Sequence, residues 1–167
     1  MSAKFAFTFA EMLAAQEYEL GKWEQWLRQQ PEPLLDQRVD FAKGGTLRDA
    51  LFHIFVVEQL YGACLQGLLD PNASPKSLFE LPHQSWDELF AIHHYGFGLL
   101  KDWAAQATAA DLKKTFSRGE IRASYRKCFL QVLEHNTRHL AQLAVALRQA
   151  GHATDWPHDL IFNPTLE

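Results

Sequence analysis

The chain has 167 residues, the length of one domain, and its 47% hydrophobic and 22% charged residues are ordinary for a soluble globular protein. Sixteen basic and twenty acidic side chains leave a formal charge of −4, which argues against a protein that binds the phosphate backbone of nucleic acids. The longest apolar stretches, residues 5–10 and 51–57, are shorter than the ~20 residues that cross a bilayer, so we expect no membrane span.

The first two helices are predicted from hydrophobic periodicity and capping residues. Residues 8–28 carry one apolar stripe, and Thr8 with Glu11 forms a capping box in which each side chain satisfies the other end's free N–H. Residues 46–69 form the second amphipathic segment, with Thr46 as N-cap and the Asp70-Pro71 turn as its stop.

The last two helices follow after a proline-containing linker. The third is predicted over residues 85–107, where Ser85 and Glu88 form another capping box. The fourth covers residues 124–150 and ends before Gly151, a good residue for the left-handed position past a helix. The polar connection between them suits a short irregular hairpin, and no other segment indicates a strand. The pattern predicts a single all-α domain over residues 1–167, a four-helix bundle of the up-and-down type.

Eight histidines are the one unusual feature of the composition, and two of them are paired in the fourth helix. His135 and His139 are four residues apart, so both rings leave the same side of the helix and can reach one metal ion. The apolar residues Val132 and Leu143 share this arc, so we expect both histidines to point toward the bundle interior. Gln142, one turn beyond His139, is a candidate for lining the same cavity or supporting a ligand.

A third ligand is available from the second helix, where His53 lies beside the apolar arc that contains Ile54 and Val57. In an up-and-down bundle the second and fourth helices meet across the core, which would bring His53 to the pair. Three histidines leave coordination positions for water or substrate, as in catalytic metal sites. From spacing alone, an equally ordinary interpretation is a set of partly buried histidines, each hydrogen-bonded to a polar neighbour.

The remaining candidates are weaker. His93 and His94, in the third helix, are either contacts in the metal cavity or ordinary boundary histidines. Glu58 lies ~140° around its helix from His53 and is not expected to bind the same metal. The remaining histidines, which fall in loops or the tail, are expected to be solvated: His83, His152 and His158. The two cysteines, too far along their helices to be ligands, are expected to be small core residues: Cys64 and Cys128.

These residues resemble the DinB/YfiT-like superfamily of small metal-dependent proteins. The resemblance rests on a Thr-Leu-x-x-x-Leu-x-His-Ile stretch at residues 46–54 and an H-x-x-x-H-x-x-Q stretch from His135 to Gln142. It implies a mirror variant of the up-and-down bundle and a divalent metal, zinc or nickel, held by His53, His135 and His139. It also implies a homodimer. Where the family often has Arg-Gly, this chain has Leu140-Ala141.

Two functions remain open at this stage. The first is a metal-dependent enzyme in which the three-histidine site activates a water or a thiol for hydrolysis or thiol transfer on a small molecule. The second is a non-catalytic, dimeric metal-binding or stress-associated protein whose site is structural or sensory. With no signal peptide evident and no paired cysteines, we expect a cytoplasmic location and no nucleic-acid or membrane partner.

Overall fold

The fold is that of a computed structural model, which describes residues 7–42, 44–69, 78, 80–118 and 121–166. Its main elements are four long helices, as the sequence predicts for an all-α bundle. They are α1 (Phe9–Leu27), α2 (Leu47–Leu65), α3 (Trp86–Gln106) and α4 (Tyr125–Gln149).

The helix starts follow the predicted caps. At three helix starts, the side chain of the N-cap residue accepts a hydrogen bond from the backbone N–H three residues on. The side chain of that later residue accepts in return from the backbone N–H of the N-cap, which completes a capping box. The three N-caps are Thr8, Thr46 and Ser85. Ser124 caps α4 through the N–H of Lys127. These local contacts set where each helix begins and therefore which side chains it turns toward the core.

The end of α2 differs from the prediction. The helix ends at Leu65, with Gln66 as its C-cap, because Gly67 takes a left-handed conformation at φ 71°. The expected stop at Asp70-Pro71 lies outside the described residues. The periodic stretch therefore overestimates the helix by about one turn.

The connection between α3 and α4 contains the expected hairpin. Strand β1 (Thr115–Arg118) pairs antiparallel with β2 (Ile121–Ser124), and Thr115 lies opposite Ser124. Because Ser124 is also the N-cap of α4, the hairpin leads directly into the helix that carries the paired histidines. Short 3-10 turns occur at Glu32–Asp36, Asp111–Lys113, Leu160–Phe162 and Pro164–Leu166.

The core is formed by large apolar side chains from all four helices, among them Trp23, Phe55, Phe90 and Phe129. Helix α2 packs most extensively on α3 and next on α4. The α2–α3 contact is close: a Cβ on Gly96 would lie 2.5 Å from the backbone nitrogen of Gln59. Helix α2 is therefore the central element, with α3 on one side and α4 on another.

None of the described helices is both long enough and apolar enough to cross a bilayer.

Candidate metal centre

Three histidines from two helices converge at the α2–α4 contact. His53 comes from α2, and His135 and His139 come from successive turns of α4. One potential ligand atom from each lies within 4.8 Å of the other two. We call these residues the three-histidine cluster. Neutral imidazole nitrogens at this separation are a donor set compatible with a divalent metal.

The ring nitrogens are oriented by their contacts. The Nε2 atoms of His53 and His135 are 2.9 Å apart, so one ring donates an N–H hydrogen bond to the other. His139 donates its Nδ1–H to Gln142 Oε1 at 2.7 Å, which leaves its Nε2 lone pair free. The sequence analysis singled out Gln142, and the structure shows how it fixes the tautomer of this ring.

The cluster lies at the edge of the bundle rather than inside it. His135 is 7% exposed, His139 is half-buried and His53 is exposed. His53 lies beside the apolar arc of α2, as the sequence indicates, and is the most exposed of the three rings. Its neighbours Phe52 and Ile54 turn into the core, and the helix period leaves the ring between them at the border with α4.

Burial favours the neutral form of two rings of the cluster. It lowers the pKa of His135 to about 3, and the charges that His139, His53 and Arg138 carry when protonated act in the same direction. Burial also lowers the pKa of His53, with a further contribution from His139. Neutral rings keep the lone pairs that a metal ligand needs.

A loop before α2 covers one side of the cluster. Gly44 and Gly45 have positive φ values of 113° and 87°, which lets the loop turn back into the start of α2. This places the Phe41 ring on His139 in a stacked contact, with ring centroids 5.9 Å apart. Sequence reasoning missed Phe41, because only the fold of this loop brings it to the cluster.

A groove of about 630 Å³ opens beside the cluster. Phe41 and Gln142, which both contact His139, are part of its lining. It continues along α4 past Val145 to Gln149, with Arg38 and Asp40 on the facing loop. We call this space the α4 groove. Its size suits a small organic molecule.

A second cavity of about 620 Å³ lies between α1, α4 and the C-terminal tail. None of the three clustered histidines lines either space, but only the α4 groove includes residues that contact His139. Ala141 lines both this cavity and the α4 groove. Its neighbour Leu140 is a buried core residue. The chain therefore uses a core leucine where the family pattern often has an arginine.

The two third-helix histidines have partners outside the cluster. His93 is buried and donates its Nδ1–H to Glu58 Oε2 at 2.7 Å. His94 is exposed and donates from Nε2 to Glu24 at 2.8 Å. Glu58, which is also not part of the cluster, is fully buried and accepts a second hydrogen bond, from Asn136 of α4. Sequence reasoning missed this contact.

All three histidines expected to be solvated are half-buried instead: His83, His152 and His158. His83 stacks on Phe52, with centroids 4.0 Å apart. His158 stacks on Trp23 and donates its Nδ1–H to Glu19 Oε1 at 2.6 Å, because the C-terminal tail folds back on α1. The expectation for the cysteines is confirmed, since their side chains are part of the hydrophobic core: Cys64 and Cys128.

Comparisons with known proteins extend these observations. The family model described as the DinB family matches residues 1–163, which is nearly the whole chain. A comparison with curated proteins finds no match.

Proposed function

The chain belongs to the DinB family, and we propose that it is a divalent-metal-dependent enzyme that acts on a small molecule. His53, His135 and His139 are the proposed ligands, and zinc or nickel is the proposed metal. The proposed reaction is hydrolysis or the transfer of a thiol.

The observation that carries this proposal is the convergence of three imidazoles at a partly open position. Their ligand atoms lie within 4.8 Å of one another, and His53 is exposed. Three protein ligands with an accessible side are typical of catalytic rather than structural zinc sites.

The residues around the cluster have separable roles in this proposal. Gln142 holds His139 with Nε2 free, and Phe41 limits the movement of that ring. The α4 groove, which starts at these two residues, receives the body of the substrate. A bound divalent metal lowers the pKa of a coordinated water or thiol, so that a nucleophile forms at neutral pH.

One observation favours a non-catalytic alternative. Within the described part of the chain, the cluster contains three imidazoles and no carboxylate that could act as a general base. The alternative is a dimeric, stress-associated or other metal-binding protein in which the site is structural or sensory.

Metal content tests the site itself. Purified wild-type protein should carry about one divalent metal per chain, measured by inductively coupled plasma mass spectrometry. His135→Ala and His139→Ala should each lose it. His152→Ala, a change outside the cluster, is the matched control and should retain it. Equal metal content in all four proteins would refute the assignment.

Turnover separates the two functions. The metal-loaded protein should hydrolyse a p-nitrophenyl ester or conjugate cysteine to an activated aryl halide, and His53→Ala should abolish the reaction while His152→Ala preserves it. A fully loaded protein that is inactive with substrates of both classes would favour the structural or sensory alternative.

The resemblance to the DinB/YfiT-like superfamily also leads us to propose a homodimer. Support comes from the exposed apolar side chains of the tail, Leu160, Ile161 and Phe162, which form a surface of the kind that partners cover. Light scattering coupled to gel filtration should give twice the chain mass, and a monomer mass at micromolar concentration would exclude a stable dimer.

A further inference from the structure

A buried hydrogen-bond network connects three helices directly behind the cluster. Glu58 of α2 accepts from His93 of α3 at 2.7 Å through Oε2, and from the Nδ2 amide of Asn136 of α4 at 2.7 Å through Oε1. Glu58 and Asn136 are both 0% exposed and His93 is 6% exposed. We call these three residues the buried carboxylate network.

The α2–α3 packing makes this network possible. A Cβ on Gly62 would lie 2.8 Å from the Cβ of Leu99, and one on Gly96 would meet the backbone of Glu58 at 3.0 Å. Glycine at both positions therefore lets the helices approach closely. At this separation the Glu58 carboxylate reaches the ring of His93 without leaving the core.

The carboxylate fixes the orientation of the Asn136 amide. A carboxylate accepts hydrogen bonds and cannot donate them, so the amide nitrogen must face Glu58. The carbonyl oxygen of Asn136 is consequently turned away from it. This Oδ1 atom is buried and has no hydrogen-bond partner of full geometry among the described residues.

The adjacent residue carries the complementary unpaired atom. His135 Nδ1 is also buried without a partner of full geometry in the described chain. Asn136 follows His135 directly on α4, so the two buried atoms belong to consecutive side chains. A buried donor and a buried acceptor on neighbouring residues each gain when they meet.

We infer that Glu58 and His93, acting through Asn136, are positioning residues for His135. Asn136 Oδ1 accepts the Nδ1–H of His135, which fixes the tautomer and leaves the Nε2 lone pair directed at His53 and His139. This inference rests on the proposed function. It gives His135 the kind of support that Gln142 gives His139, and metal-binding histidines commonly donate their second nitrogen in this way.

Glu58 offers a matched pair of variants as a test. Glu58→Gln keeps an oxygen that can accept from Asn136, whereas Glu58→Met has a similar volume and no such acceptor. Zinc affinity, measured by competition with a chromophoric chelator, should fall by about 10-fold in Glu58→Met and in Asn136→Leu, and by less than about 3-fold in Glu58→Gln. Gln66→Met removes a hydrogen bond between α2 and α3 outside the network and should bind zinc like the wild type.

The tautomer is a second readout and needs no variant. In zinc-loaded wild-type protein, ¹⁵N imidazole spectra should show His135 with a protonated Nδ1 and a metal-bound Nε2. Folded Glu58→Met and Asn136→Leu proteins with wild-type zinc affinity would overturn the inference and leave the proposed metal site standing, as would an unprotonated Nδ1. If the wild type binds no zinc or nickel, both the proposed function and the inference are refuted.

Discussion

Two neighbouring regions of the bundle, the buried carboxylate network and the three-histidine cluster, shift the pKa of a buried histidine in opposite directions. In the buried carboxylate network, burial acts to lower the pKa of His93, but the charge and hydrogen bond of Glu58 outweigh it and the net pKa is raised. In the three-histidine cluster, burial lowers the pKa of His135 to about 3 and nearby histidines reinforce the shift.

The difference shows that the partner, and not burial alone, decides the state of a buried histidine. A carboxylate beside a ring favours the protonated form, because the positive charge is then matched by a negative one. A ring next to other histidines is held neutral and keeps the lone pair that a metal requires. His93 is therefore suited to an ion pair and His135 to ligation, although both are buried in the same bundle.

The largest expected effect comes from removing the carboxylate. Glu58→Leu leaves a charged or newly neutralised His93 without its partner, so the free energy of unfolding of the metal-free protein should fall by about 3–5 kcal/mol. Urea denaturation at pH 7 measures it. Glu17→Ala, which breaks an exposed ion pair with Lys101, should cost less than about 1 kcal/mol. A loss below 1 kcal/mol in Glu58→Leu would show that the network contributes little.

A smaller effect is expected from the contact that orients the other ring of α4. Gln142→Ala removes the acceptor of His139 Nδ1–H and should lower zinc affinity about 10-fold. Gln142→Glu retains an acceptor and should bind nearly as well as the wild type. Gln149→Ala, which changes the same groove two turns further along α4, should leave zinc affinity unaltered. Equal affinities for the alanine variants would contradict a specific role for Gln142.

The two regions should also respond oppositely to pH. His135 has a folded-state pKa below its unfolded value of about 6.5, so the unfolded chain binds more protons between pH 6.5 and 3, and stability falls as the pH falls through that range. His93, with a raised pKa, contributes stability that is complete below pH 6.5 and is lost as the pH rises through its folded value. Between pH 7 and pH 5, metal-free wild type should lose about 1 kcal/mol more than His135→Leu. Parallel losses in urea denaturation would exclude this role of His135.

The smallest effect on stability is expected when His135 of the cluster is replaced with an apolar residue. His135→Leu exchanges the hydrogen bond with His53 and the inferred contact with Asn136 for apolar burial, so the metal-free protein should change in stability by less than about 1 kcal/mol. The contrast with Glu58→Leu is the point of the measurement, because both variants replace one buried polar side chain with leucine. A destabilisation above 2 kcal/mol would mean that the metal-free bundle depends on the contacts of this ring nearly as much as on Glu58.

Much of this arrangement could be predicted from local sequence. The capping residues Thr8, Thr46 and Ser85 start helices where the sequence indicates, because a cap depends on contacts within one turn. The i, i+4 spacing of His135 and His139 likewise guarantees that they share a face. The meeting of His53 with this pair was an expectation from bundle topology and family resemblance, and the structure brings them together.

The remaining features depend on contacts between distant segments. Glu58 was considered only as a ligand for the metal of His53, and its angle around α2 gave no sign of His93 or Asn136 as partners. The glycine pair that brings α2 and α3 together has no recognisable local pattern. The exposure of His53 was not predicted, because helical periodicity shows only that a residue lies beside the apolar face. It does not show how much of the side chain a neighbouring helix covers.

The exposure of His53 also affects the rate at which a bound metal ion would exchange with the solution. Two rings are held within the bundle by their helix, while the third lies beside solvent. A cation arriving from water meets His53 without any separation of helices, and a competing chelator reaches the same side. If the cluster holds a metal ion as proposed, exchange would therefore proceed on the folded protein. The ion carried would then follow the free concentrations in the surrounding solution rather than those present when the chain folded.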